Sequence, residues 1–153
     1  MTYILKDSII ETSLSSFVQT PTFIGFHVFH SYAAPIAWSQ DQLISLFDNV
    51  VYNSGSFSAG LFTAPEDGIY EFLFNGHFLN GNIGDITILK NNLTTISVNY
   101  VVRDGSNADW ISGGSTSSIV SLVAGDTIGV YTKYEGFPTA DAGRWSFNGK
   151  KIF

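Results

Sequence analysis

A chain of 153 residues is long enough to bury one core, and with 44 % hydrophobic but only 13 % charged residues it has little charge to spread over a monomer's surface. A net charge of −6 without any basic run argues against a nucleic-acid partner and gives no attraction to anionic lipid. The absence of cysteine excludes disulfides, thiolate metal sites and cysteine nucleophiles, and no apolar run is long enough to span a bilayer.

Residues 1–20 are rich in Ser and Thr, with a weak helical spacing of Ile9, Ile10, Leu14 and Phe17. They read as an N-terminal arm, followed by one globular domain over residues 21–153. The first residues lack the basic start and continuous apolar segment of a signal peptide, and no Gly-X-Y repeat marks a collagen stalk.

Residues 22–30 form the first clear strand, with Ile24, Phe26 and Val28 on one face and Phe23, His27 and Phe29 on the other. Residues 31–42 are a loop with Pro35 and Trp38. An apolar run over 43–52 is broken by Asp48 and Asn49, and Asn53-Ser54-Gly55-Ser56 turns the chain.

The chain is organised around residues 57–79, which read as a hairpin. Its turn, Pro65-Glu66-Asp67-Gly68, supplies a proline with fixed φ and a glycine free to take φ > 0. The strand after it alternates strictly. Tyr70, Phe72, Phe74 and Phe78 make a core face. Ile69, Glu71, Leu73, Asn75, His77 and Leu79 make a face too greasy for solvent and too polar for a core. That face suits a subunit contact, in which Ile69, Leu73 and Leu79 are the candidate interface residues.

Further on, 85–90 is a short strand, Asn91-Asn92 a turn, and 95–102 a strand with Ile96, Val98, Tyr100 and Val102 inward. Residues 104–114 form a polar loop, 117–123 and 127–134 are strands joined at Ala124-Gly125-Asp126, 136–143 is a loop, and 145–153 closes the chain as a strand. No helix of ordinary length is visible. The fold class is therefore all-β, a two-sheet sandwich of about ten strands.

Candidate chemistry is sparse. His27 and His30, three apart on a strand, face opposite sides and cannot share a metal, and His77 is distant. No nucleophile elbow, phosphate loop or pair of catalytic carboxylates stands out, so the chain reads as a non-enzyme. Asp104, Asn107, Asp109 and Trp110 combine oxygen ligands with an aromatic platform, the makings of a calcium or sugar site. The same residues also fit a solvated loop whose tryptophan packs down on the body. Asp85 and Asp141 are weaker calcium candidates. Asp126 reads as a turn residue whose carboxylate bonds N–H groups two residues on. Asn92-Leu93-Thr94 matches the glycosylation acceptor pattern in an expected turn.

Five blocks, in order, resemble the globular head domain of complement C1q: Phe47-Asp48-Asn49-Val50, residues 57–65 ending in Phe62-Thr63-Ala64-Pro65, Gly68-Ile69-Tyr70-Glu71-Phe72, residues 122–130 around Gly125-Asp126, and residues 145–153 with Phe147-Asn148-Gly149. Tumour necrosis factor cytokines share the fold and a similar glycine-x-tyrosine strand. The resemblance implies a ten-stranded jelly roll of the C1q/TNF type, a tight homotrimer and a secreted protein of innate immunity. It also implies lectin-like or pattern-recognition binding of glycans or microbial surface ligands. The alternative is a structural or signalling trimer that binds a protein receptor or matrix partner. Many family members hold calcium near the trimer apex, so Ca2+ is a candidate cofactor, although the family's ligands find no match residue by residue here. The chain departs from the commonest members in having neither cysteine nor collagen region.

Overall fold

The structure, a computed structural model, describes residues 23–30, 39–79, 84–101, 111–133 and 145–153, leaving aside the side chains at 77–79, 84–85, 99–101, 111–113 and 145. Runs of alternating apolar and polar residues become ten strands. They are β1 (Gly25–His30), β2 (Asn49–Asn53), β3 (Phe57–Ser58), β4 (Leu61–Thr63), β5 (Gly68–Leu79), β6 (Gly84–Lys90), β7 (Thr94–Val101), β8 (Ile111–Leu122), β9 (Thr127–Thr132) and β10 (Trp145–Lys151). They make two five-stranded antiparallel sheets, ordered β2-β1-β10-β5-β8 and β3-β4-β9-β6-β7. The all-β jelly-roll expected from the strand spacing is thus the observed fold.

The core lies between the sheets. Phe26, Val28, Tyr70, Phe72, Phe74 and Phe147 come from the first sheet; Phe57, Phe62, Ile86, Ile88, Ile128 and Val130 come from the second. Phe26 joins the layers, its ring centroid 4.4 Å from Phe57 and 5.0 Å from Phe147. Such offset and edge-on contacts add to the ~1.5–3 kcal/mol gained by burying each large side chain. The core face expected for the central strand holds at Tyr70, Phe72 and Phe74, which are fully buried. Phe78 lies in β5, but its side chain is outside the description.

Several local expectations are corrected. Residues 57–79 are not a hairpin: β4 pairs with β9 in the second sheet, whereas β5 pairs with β10 and β8 in the first. The connection through Pro65 carries the chain from one layer to the other. Gly68 is not in the left-handed region, where the glycines found are Gly55, Gly60 and Gly125. Its role is space, because a Cβ there would lie 2.6 Å from the Phe153 carbonyl oxygen. Val98 is 39 % exposed rather than inward, since β7 is the end strand of its sheet. Residues 111–114, expected in a loop, are strand and pair with the last residues of β5. Tyr100 belongs to β7 with its side chain outside the description, and Val102 lies beyond the described residues.

Asp126 holds one end of the sandwich together. Its carboxylate accepts the Val123 N–H at 2.8 Å and the Asn91 side-chain amide at 2.8 Å, and pairs with Lys90 at 2.7 Å. The bonded N–H lies three residues back, not two residues on. The turn after β8 is thereby tied to the β6–β7 turn. The Lys90 ammonium, then the Asn91 amide and the Val123 N–H, lower the carboxyl pKa from 3.8 to about 2 against the smaller cost of burial. A folded-state pKa below the unfolded value means that these bonds stabilise the fold above the ordinary value and are lost as pH falls through about 2. Asp126→Asn is expected to lower stability at pH 7 and to flatten the acid limb between about pH 4 and 2. Urea unfolding at steps across that range measures both effects. An unchanged acid limb would show that Asp126 is not its source.

Candidate interaction face

The outward face of the first sheet is assembled by strand register. Across it, Tyr52 of β2 lies beside His27 of β1, His27 beside Asn148 of β10, Asn148 beside Leu73 of β5, and Leu73 beside Ser117 of β8. The next row runs from Lys150 through Glu71 to Ile119. Alternation along β5 sends Tyr70, Phe72 and Phe74 inward and therefore Ile69, Glu71, Leu73 and Asn75 outward. All four outward residues are half-buried in a single chain.

Two of the expected contact residues, Ile69 and Leu73, thus stand on this face. Leu79 ends β5 opposite Ile111, with its side chain outside the description. The structure adds neighbours that sequence reasoning did not assign. Ile119 is 65 % exposed and Val51 62 %, and Phe23 packs its ring 5.2 Å from that of Tyr52, whose hydroxyl donates to the Phe23 carbonyl at 3.0 Å. An open groove of about 590 Å³ runs between Tyr52, Val51, His27, Leu73 and Lys150. The alternation of β8 carried the only signal for Ile119, and it needed the β5–β8 register to be read.

The charges on this face compensate. Lys150 Nζ lies 3.1 Å from Glu71 Oε2, a partly exposed pair worth about 0–1 kcal/mol. At the foot of β5, Lys151 pairs with Glu66. That hydrogen bond, with the nearby negative charge, raises the lysine's pKa. Burial raises the Tyr70 pKa, and its hydroxyl donates to the Glu66 carbonyl at 2.8 Å. A surface of half-buried aliphatics with its charges locally neutralised favours burial against another protein surface.

The histidines separate as their spacing requires. His27 is exposed on this face, whereas His30 is buried on the other, its Nδ1 3.3 Å from Asp48 Oδ1. Among the described residues no group of three or more His, Cys, Asp or Glu is placed to hold a metal ion. The candidate ligand residues Asp104, Asn107, Asp109 and Trp110, and the weaker candidate Asp141, lie outside the described residues. Asp85 is in β6, its side chain outside the description.

A family model described as the C1q domain matches residues 25–149. Among solved structures, the chain is similar to Eiger TNF from S. frugiperda, with a TM-score of 0.71 at 14 % identity over 86 % of this chain and 93 % of that one. It is also similar to the globular domain of zebrafish complement 1qA protein, with a TM-score of 0.64 at 15 % identity over 85 % and 98 % of the two chains. At these identities the structural likeness establishes the fold. No curated protein matches the sequence.

Proposed function

The chain belongs to the C1q domain family, whose globular domains typically form homotrimers and are usually extracellular and generally non-enzymatic; from this we propose that it is a secreted, trimeric recognition module without catalytic activity. The observation that carries the assembly is the outward face of the first sheet. Ile69 and Leu73 are half-buried there before any partner arrives, beside the neutralised Glu71–Lys150 pair. A chain with 13 % charged residues gains by covering such a face with copies of itself.

We assign recognition of glycans or microbial surface ligands to the loop bearing Asp104, Asn107, Asp109 and Trp110. Carboxylates and an amide can hydrogen-bond sugar hydroxyls, and an indole offers an apolar platform for a sugar ring. The two carboxylates could also hold Ca2+ through oxygen. Three weak sites on one trimer would gain on a repetitive surface by avidity, by roughly 10²–10⁴ where the geometry allows simultaneous engagement. A Trp110→Ala, Asp109→Ala double variant that remains trimeric is expected to lose at least about tenfold in binding to microbial cells or arrayed glycans, in line with the loss of avidity. Undiminished binding, with and without a calcium chelator, would remove this loop from the site. A trimer silent on glycans that captures a defined protein receptor would instead support the signalling alternative.

A further inference from the structure

We propose that Asn92 is an N-glycosylation site, carrying its glycan at the tip of the β6–β7 hairpin. The inference rests on the extracellular reading above for its access to the modifying enzyme, and on the hairpin for its site. Asn92-Leu93-Thr94 is the sole Asn-x-Ser/Thr triplet in the sequence. Asn91 and Asn92 take φ of 52° and 56°, and the Leu93 N–H closes the turn onto the Lys90 carbonyl at 3.1 Å. Two successive left-handed residues suit asparagine.

The two asparagines then divide their work. Asn91 is committed to the fold: its amide donates to Asp126 at 2.8 Å, and its carbonyl oxygen accepts the Thr127 N–H at 2.7 Å. Asn92 is exposed, and its side chain makes no hydrogen bond to the described residues. Thr94, whose hydroxyl completes the acceptor, is exposed as well. Between them Leu93 is 85 % exposed, an apolar side chain set out at a hairpin tip that a glycan on its neighbour would cover. The hairpin belongs to the second sheet, and the contact face belongs to the first, so the glycan and the assembly use different layers.

The transfer joins Asn92 Nδ2 to the anomeric carbon of a lipid-pyrophosphate-linked oligosaccharide. It breaks the sugar–phosphate bond and releases the lipid pyrophosphate and one amide proton. No oxidant or reductant is needed.

The test has two arms. The full chain is directed through a eukaryotic secretory pathway behind a cleavable leader, and peptides covering residue 92 are read by mass spectrometry before and after amidase release of N-glycans. In parallel, the protein in its native source is located inside or outside the cell. Secreted parent is expected to carry glycan at Asn92, converted to Asp by the amidase. Asn92→Gln and Thr94→Ala are expected to lose the modification, and Thr94→Ser to keep it, with polypeptide assembly unchanged in all three. Folded, secreted parent with Asn92 unmodified overturns the proposal. Occupancy behind the leader, combined with an intracellular native protein, upholds the acceptor site and overturns the extracellular reading instead.

Discussion

Phe72→Ala is expected to lower the unfolding free energy by about 3–5 kcal/mol, the cost of deleting a large buried aromatic ring. Phe72 is fully buried near the middle of β5, and its ring touches both layers: centroids lie 5.3 Å from Phe62 of the second sheet and 6.1 Å from Phe147 of the first. Its ring also fills the space above Gly149, where a Cβ would come within 2.5 Å of Phe72 Cδ1. Removing the ring therefore opens a cavity whose floor is glycine backbone, with no side chain there to collapse into it. Against a total stability of about 5–15 kcal/mol the loss is large, and the melting temperature should fall by several degrees. Chemical denaturation of the parent and the variant measures the difference. A change below about 1 kcal/mol would contradict the packing around Phe72.

Leu73→Asp is expected to convert a trimer into monomers. Leu73 neighbours Phe72 in sequence but points to the opposite face, with Asn148 and Ser117 across from it. In the proposed assembly that position is closed off from water in every copy. A carboxylate there would be desolvated without a cation reserved for it, because Lys150 is engaged by Glu71. An uncompensated charge in such a place costs several kcal/mol, enough to dissociate an assembly of ordinary affinity at micromolar concentration. The fold of the single chain should survive, since Leu73 contributes nothing to the inward face. Light scattering gives the mass, and circular dichroism checks the fold. Leu93→Asp, the same change on the exposed tip of the second sheet, should leave the trimer mass intact. A parent that is monomeric at micromolar concentration, or a Leu73→Asp variant that stays trimeric, would move the contact to another surface.

These two neighbouring residues show how much could be read before any strand was paired. The period of two along β5 separates Phe72 from Leu73 whatever the sheet order is, because successive side chains on a strand point to opposite sides. The Asn91-Asn92 turn was legible for a similar local reason, as asparagine tolerates the left-handed backbone found there. The Phe147-Asn148-Gly149 block was visible as a family signature. Its physical reason, a glycine that makes room for Phe72 on the adjacent strand, was not.

What the sequence determined by itself was therefore local and periodic: an all-β chain, the inward and outward faces of its central strand, the turns, and membership of a family. Tertiary structure decided the pairings. Pro65-Glu66-Asp67-Gly68 reads as a hairpin turn, yet it passes the chain between layers, because side-chain pattern fixes which face is apolar but not which strand supplies the backbone hydrogen bonds. Val98 has the alternation of a core strand and is partly exposed at the end of a sheet. Ile119 and Tyr52 join Leu73 on one surface only through register with β5 and β1, from positions far apart in the chain. Local steric preferences are encoded residue by residue. A contact face is a property of neighbours brought together by long-range pairing, and that is where the sequence ceased to specify it.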